Sequence, residues 1–197
     1  MHRDADLDGF LYLGQGGYLP FSYGEQPPGT SSRAVQSWCP RLVGSDDVAT
    51  LLIVHHTPSP NCQAMFEAVV SGATDPEIEG VRVVRVPALS ATASDVLAAD
   101  GYLLGTPANL GYMSGALKHF FDQVYYPCLD ATRGRPFGYW VHGGNDVTGA
   151  VRGIEAITTG LGWRRTAEAV TVTGEPDKSD VGKCWELGAT AAAGLMG

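Results

Sequence analysis

Two hydrophobic periods alternate along residues 47–197, one typical of strands and the other typical of helices. Apolar segments of strand length, as in strands buried within a sheet, occur at 50–55, 81–86, 101–105, 137–142 and 167–173. Amphipathic helical patterns follow them at 61–72, at 93–98, from Ser114 onward, at 148–161 and at 179–195. Each predicted strand is therefore followed by a predicted helix.

Five strands that alternate with five helices predict an α/β fold, a three-layer, doubly wound, five-stranded parallel sheet with helices on both faces. Right-handed crossovers favour the strand order 2-1-3-4-5, which places the first and third strands side by side at the switch point. Ligands bind to such sheets beyond the carboxyl ends of the strands. The loops at 56–62, 106–113 and 143–147 follow strands 1, 3 and 4, so we expect the functional site there.

The first 46 residues differ in composition from the rest of the chain. They include the segment GQGGYLPFSYGEQPPGTSS, which is rich in Gly, Pro, Ser and Tyr and has no sustained periodicity. Such a composition is typical of irregular chain. We therefore expect an irregular extension at 1–46 and one domain at 47–197.

The charge balance excludes some classes of partner. The chain has 13 Lys and Arg residues against 21 Asp and Glu residues, for a formal net charge of −8. It has no basic stripe that could follow a phosphate backbone, so we expect no nucleic-acid partner. The acidity suits docking to a basic redox partner. No segment approaches the roughly 18–20 apolar residues of a membrane span, and the N-terminus lacks a signal-peptide pattern, so we expect no membrane span and a cytoplasmic location.

The first loop has the features of an anion site at a helix start. Ser59 is a suitable N-cap with Pro60 as the first helical residue. The N–H groups of Asn61 and Cys62 would then lie at the positive end of the helix, and the hydroxyls of Thr57 and Ser59 add donors. The alternative is a capped helix start that binds nothing, because the two prolines of the loop each remove a backbone donor.

The second and third loops suit a flat polar ligand. Gly111 permits close backbone approach, Tyr112 offers an aromatic face, and Asn109 offers both a donor and an acceptor. The third loop begins at His142 and brings two further glycines to a strand end. The alternative for both loops is an ordinary turn, the third ending with Asp146 or Thr148 as an N-cap.

Metal and hydrolase chemistry find little support in the sequence. The adjacent His55 and His56 point to opposite sides of a strand, and the histidines and cysteines lack metal-site spacing. No G-x-S-x-G motif occurs, so Ser114 is interpreted as an N-cap. Lys118 and Asp122 are interpreted as a surface pair. The four cysteines are expected to be free thiols: Cys39, Cys62, Cys128 and Cys184.

Residues 48–175 resemble the flavodoxin-like flavoproteins, in particular FMN-dependent NAD(P)H oxidoreductases and tryptophan-repressor-binding-protein-type quinone reductases. The resemblance is strongest at GTPANLGYMSGALKHFFDQ, which has the P-x-x-x-G-x-M-S-G frame of that superfamily, and it continues at His142-Gly143-Gly144. The first loop departs from the family pattern, since Pro60 stands near the usual central Gly and Cys62 near the usual closing Thr.

The resemblance implies an FMN cofactor, with NAD(P)H as reductant and a small-molecule electron acceptor. The phosphate would bind at 57–63 and the isoalloxazine between the second and third loops, with backbone N–H groups at 110–113 at its polar edge. His142 is a candidate donor to the flavin pyrimidine edge or to substrate. The implied cofactor-binding residues are Thr57, Ser59, Asn61, Cys62, Pro107, Ala108, Asn109, Leu110, Gly111, Tyr112, Met113, His142, Gly143, Gly144 and Asn145.

The leading functional hypothesis is an FMN-dependent oxidoreductase that takes hydride from NAD(P)H and reduces a quinone-like or flavin acceptor. One alternative is a non-catalytic electron carrier of flavodoxin type, which the acidity favours. Another is a binding module that has kept the fold and lost the flavin, which the altered first loop favours. By analogy with the superfamily, we expect a homo-oligomer.

Overall fold

A computed structural model describes residues 48–196 of the chain. The predicted extension at 1–46 lies outside the described residues. Within the described part, the strands are β1 (Ala49–His55), β2 (Val81–Pro87), β3 (Gly101–Asn109), β4 (Tyr112–Met113), β5 (Pro136–Gly143), β6 (Arg164–Arg165) and β7 (Val170–Thr173). The helices are α1 (Pro60–Ala73), α2 (Ala93–Ala98), α3 (Gly115–Cys128), α4 (Thr148–Gly160) and α5 (Lys178–Ala193).

The sheet has the predicted doubly wound order. Parallel pairing joins β2 to β1, β1 to β3 and β3 to β5, and β7 pairs with the carboxyl half of β5. This is the order 2-1-3-4-5 once the two short strands β4 and β6 are set aside, so the prediction of a flavodoxin-like fold is confirmed. The last predicted strand, at 167–173, is shorter than expected. Only β7 pairs there with β5, and residues 167–169 connect it to β6, which pairs with the start of β5 on the same side.

Side chains alternate between two cores on either face of the sheet. Leu52, Val54 and Leu104 belong to the core beneath α2, α3 and α4. Leu51, Ile53 and Trp140 belong to the core shared with α1 and α5. Because successive strand residues point to opposite faces, each strand contributes to both cores, and the three layers predicted from the apolar segments are present.

The starts of two helices, α1 and α3, follow the sequence signals, and those of α4 and α5 differ from them. Ser59 caps α1 and Ser114 caps α3 through their side-chain oxygens, as expected. The last helix begins one residue before the predicted start at 179, and its N-cap Asp177 forms a reciprocal capping box with Asp180. At α4 neither Asp146 nor Thr148 is the N-cap residue, which is Val147, and the Asp146 carboxylate binds Thr148 from outside the helix.

Candidate functional site

The predicted loops converge at the carboxyl edge of three consecutive strands. The last residue of β1, His55, pairs with Gly105 of β3, and Pro107 of β3 pairs with His142 of β5. Since β1, β3 and β5 are neighbours in the sheet, the chain that follows each of them is brought to one crevice. The structure therefore places all three predicted loops together.

The first loop is ordered by a side-chain cap. Ser59 Oγ accepts the Cys62 N–H at 3.3 Å, so this N–H is used within the loop, in contrast to the prediction that it would be free. Among the described residues no acceptor meets the N–H of Thr57, Ser59 or Asn61. The Ser59 hydroxyl proton also remains to be donated, because the capping bond uses only an oxygen lone pair. The α1 start thus offers several donors to an anion.

His55 lies within hydrogen-bond distance of Thr57, one of the predicted phosphate donors. Thr57 Oγ1 lies 3.3 Å from His55 Nδ1, and the His55 ring stacks on Phe66 with centroids 4.0 Å apart. Burial lowers the pKa of His55, and the neighbouring His56 and Arg85 lower it further. A neutral imidazole whose hydrogen is on Nε2 accepts the Thr57 hydroxyl proton at Nδ1, and in that tautomer this hydroxyl is oriented toward the protein. The Nδ1 atom of His56 is buried and meets no partner in the part of the chain that the structure describes.

The second predicted loop is a β-hairpin. Strand β3 continues to Asn109 and turns through Leu110 at φ 50° and Gly111 at φ 75° into β4, which pairs antiparallel with it. Two residues with positive φ between paired strands form a turn of type I′. The Gly, Pro and Asn residues resembled a loop in the sequence, but Pro107 lies beyond the end of β1, where β3 has become an edge strand that tolerates proline.

The hairpin tip carries the exposed groups of this segment. Among the described residues no acceptor meets the N–H of Leu110 or Gly111. The Leu110 side chain is fully exposed, and Tyr112 is 40% exposed. The prediction placed free N–H groups at 110–113, whereas Tyr112 is paired with Asn109 of β3 across the turn. The N–H groups of Leu110 and Gly111 and the side chains of Leu110 and Tyr112 remain available to a ligand at the tip.

Two helix glycines hold the hairpin in place. A Cβ atom on Gly149 would overlap the Gly111 carbonyl oxygen, and one on Gly153 would lie 2.7 Å from both Met113 Cε and the Tyr112 ring. The close approach of β4 to α4 depends on these two positions. Sequence reasoning missed them, although glycines four residues apart on one helix face are a recognisable signal of close packing.

The third segment, which follows His142, is closely packed at Gly143 and unobstructed at Gly144. A Cβ on Gly143 would lie 2.7 Å from Val147 Cγ1, whereas a Cβ on Gly144 would meet nothing within 4 Å. Asn145 is exposed. The Asp146 carboxylate accepts the hydroxyl and the N–H of Thr148, and these bonds lower the pKa of Asp146. The backbone at Gly144 can therefore be approached closely by a ligand.

His142 connects the third segment to the first. Its Nε2 lies 2.7 Å from the carbonyl oxygen of Gly174, which follows β7, and its Nδ1 lies 3.8 Å from Cys62 Sγ. The Asn61 amide nitrogen is 3.4 Å from Nε2. Sequence reasoning missed Gly174. Cys62 is only 3% exposed, so its thiol does not have the solvent access that a nucleophilic thiol needs.

The remaining candidate side chains have structural surroundings. Ser114 is buried, caps α3 and lies 3.0 Å from the Thr106 hydroxyl. Lys118 and Asp122 form an exposed pair at 2.6 Å, whose hydrogen bond raises the pKa of Lys118. Cys62, Cys128 and Cys184 are free thiols. Within 48–196 no group of three or more His, Cys, Asp or Glu side chains could hold a metal ion.

The described helices also bear on the membrane prediction. Within 48–196, none combines the length and the hydrophobicity that crossing a bilayer requires.

Comparison with known proteins gives the family of the chain. The family model described as NADPH-dependent FMN reductase matches residues 28–167, which is well over half of the sequence. The chain belongs to this family. Its resemblance to the flavodoxin-like flavoproteins is thereby confirmed, and the cofactor of these proteins is FMN.

Individual proteins match this chain either over part of its length or at low sequence identity. A flavodoxin of Aquifex aeolicus (strain VF5) is 40% identical over 74 residues, which are 38% of this chain and 39% of that protein. The match thus spans about two fifths of that relative's length. Two solved structures share the fold: a flavodoxin from the domain Archaea has a TM-score of 0.63 at 18% identity, covering 75% of this chain and 99% of that chain. A flavodoxin, WrbA-like protein from Agrobacterium tumefaciens has a TM-score of 0.60 at 19% identity, covering 75% and 97%.

Proposed function

We propose that this chain is an FMN-dependent oxidoreductase that takes hydride from NAD(P)H and passes reducing equivalents to a quinone-like or flavin acceptor. The observation that carries the proposal is the convergence of three donor-bearing segments at the carboxyl ends of β1, β3 and β5. The family supports the same cofactor and a nicotinamide reductant.

The first segment fits a phosphate group. The N–H groups of Thr57, Ser59 and Asn61 alternate with the two prolines, which have no N–H but fix the backbone between the donors. The Ser59 hydroxyl adds a donor, and the helix dipole of α1 favours an anion at its start. We therefore assign the FMN phosphate to residues 57–62, with fewer backbone donors than a glycine-rich loop would offer.

The hairpin and the third segment fit the two sides of an isoalloxazine. At the tip, the N–H groups of Leu110 and Gly111 and the Asn109 amide can meet the polar edge of a ring. Across the crevice, Gly144 leaves room for a ring to approach the backbone. Tyr112 offers a partly exposed aromatic face that can stack on a planar group.

Bound FMN would supply hydride and electron transfer, and the chain would supply orientation and electrostatics. The residues proposed to hold it include no Asp, Glu, Lys or Arg, so neutral N–H and hydroxyl groups surround the cofactor. Such fixed dipoles stabilise added negative charge without a permanent cation. The exposed tip at Leu110 and Tyr112 leaves the ring edge accessible to an apolar acceptor.

A flavodoxin-type electron carrier is the second candidate. It is favoured by the partial match to a flavodoxin and by the net charge of −8, which suits docking to a basic partner. Anaerobic stopped-flow mixing of the flavin-loaded protein with NADPH separates the two candidates. Prompt loss of flavin absorbance without a partner reductase is the result expected of a reductase. Loss of absorbance that requires a partner reductase would assign the chain as a carrier, and a purified protein that binds no FMN would exclude both.

A further inference from the structure

His142 joins three segments of the carboxyl edge. It lies in β5, its Nε2 is 2.7 Å from the Gly174 carbonyl oxygen after β7, and its Nδ1 is 3.8 Å from Cys62 Sγ in the first turn of α1. Along β5 the side chains alternate between faces, so His142 lies on the same face as Trp140, beside α1 and α5. His142 is thus placed between the first turn of α1 and the end of β7.

The partners of His142 determine where its proton lies. A carbonyl oxygen can only accept, so Nε2 carries the hydrogen and donates it to Gly174. In the neutral ring the lone pair is then on Nδ1, where it accepts the Cys62 thiol proton. Two donors cannot bond to each other, so the Asn61 amide is left with the Gly174 oxygen at 3.5 Å. Both nitrogens of His142 are therefore engaged by the protein, and neither remains for a flavin ring edge.

We propose that His142 is a positioning residue of the phosphate loop, defined as residues 57–62, and not a contact of the flavin ring. This inference rests on the function proposed above. Because Pro58 and Pro60 have no N–H, the loop has few backbone bonds that could fix its direction. The contact of His142 with Cys62, together with that of the Asn61 amide with the Gly174 oxygen, holds the first turn of α1 against β5 and β7. They thereby aim the N–H of Asn61 and the Ser59 hydroxyl at the phosphate.

Cys62 connects His142 to the phosphate loop. Its N–H is bonded to the Ser59 hydroxyl oxygen and its thiol to His142, and the side chain is buried. The thiol is therefore turned into the protein and does not contact the phosphate. In this position it serves as the link through which His142 acts on the loop.

FMN and riboflavin differ only by the phosphate, so a comparison of their affinities distinguishes a residue that positions the phosphate loop from one that contacts the flavin ring. Flavin fluorescence titrations would compare the wild type with His142→Phe, which keeps a planar ring and removes both nitrogens. We expect the Kd for FMN to rise by about tenfold or more and that for riboflavin by less than about threefold. His119→Phe is the matched control, because His119 lies on the exposed surface of α3. An equal loss for both flavins, or no loss for either, would overturn the proposal.

A double-mutant cycle tests whether His142 acts through Cys62. Cys62→Ala should weaken FMN binding, and the double variant should bind FMN no more weakly than His142→Phe alone, since residues that act as one unit are not additive. Fully additive losses would contradict the proposed link. Cys62→Ser should retain FMN binding, because a hydroxyl can also donate to Nδ1.

Hydrogen exchange of the flavin-free protein gives a readout that is independent of FMN. In His142→Phe the amides of residues 62–64 should exchange faster than in the wild type and in His119→Phe. A wild type that binds neither flavin would contradict the proposed function, and hydrogen exchange would still decide whether His142 holds the first turn of α1. Unchanged exchange there would overturn the positioning role.

Discussion

The carbonyl oxygen of Gly111, at the hairpin tip, occupies the space that a Cβ atom on Gly149 of α4 would need. One helical turn further along α4, Gly153 lies against Met113 and Tyr112 in the same way. The position of the tip is therefore set by two helix residues that contact no ligand in the proposed site. Their effect on binding is indirect, since they determine where the N–H groups of Leu110 and Gly111 lie.

Gly149→Ala is expected to destabilise the protein by about 1–3 kcal/mol, because the added methyl group forces the hairpin away from α4. In an unobstructed helix interior the same change stabilises by roughly 0.5–1 kcal/mol. The matched control is Gly182→Ala in α5, where a Cβ would meet nothing within 4 Å. Urea unfolding should show opposite signs for the two variants. Equal stabilisation by both would mean that the contact between Gly111 and Gly149 is not retained in solution.

The sequence predicted the layers and strand order because buried parallel strands leave continuous apolar segments. It also predicted the N-caps Ser59 and Ser114, whose signals are local. The hairpin at 106–113 was missed for a physical reason. Gly, Pro and Asn are typical of loops and of I′ turns alike, and only the end of β1 opposite Gly105 shows that Pro107 can lie in a strand.

The interior of the site could be predicted only in part. Sequence reasoning chose Asn61, Cys62 and His142 individually, each from its own loop. Their mutual contacts, and the contact of His142 with Gly174, depend on how far β5 and β7 extend past one another. That distance is a property of sheet register, which no local motif encodes.

Leu110→Asn is expected to stabilise the flavin-free protein by up to about 1 kcal/mol, because asparagine tolerates positive φ better than leucine at the first turn position. Leu110 has φ 50° and its side chain is fully exposed, so no packing is lost. Thermal unfolding is the measurement. Leu89→Asn is the control, because Leu89 is also exposed but is not among the residues with positive φ. An equal shift in both variants would mean that φ at Leu110 is not the cause.

Ser59→Ala is expected to lower stability by about 1 kcal/mol through loss of the α1 cap. It should also weaken FMN binding more than riboflavin binding, because the hydroxyl is a proposed phosphate donor. Thr92→Ala removes the N-cap of α2, far from the phosphate loop in sequence, and should lower stability while leaving the FMN Kd unchanged. Titration of both variants with the two flavins distinguishes the loss of a helix cap from the loss of a phosphate donor. A parallel loss of FMN affinity in both variants would assign the effect to stability alone.

Stability is expected to fall as the pH drops below about 6.5, partly because of His55. Its pKa is lowered in the folded protein from 6.5, first by burial and then by His56 and Arg85. The unfolded chain therefore binds more protons in the window between the folded pKa and 6.5, so stability is lost as the pH falls through it. His55→Phe, which can still stack on Phe66, should reduce this dependence in urea unfolding at several pH values. Arg85→Gln should reduce the pH dependence less, since Arg85 is the smallest of the three causes that lower the pKa of His55. An unaltered pH dependence in His55→Phe would show that other groups are responsible.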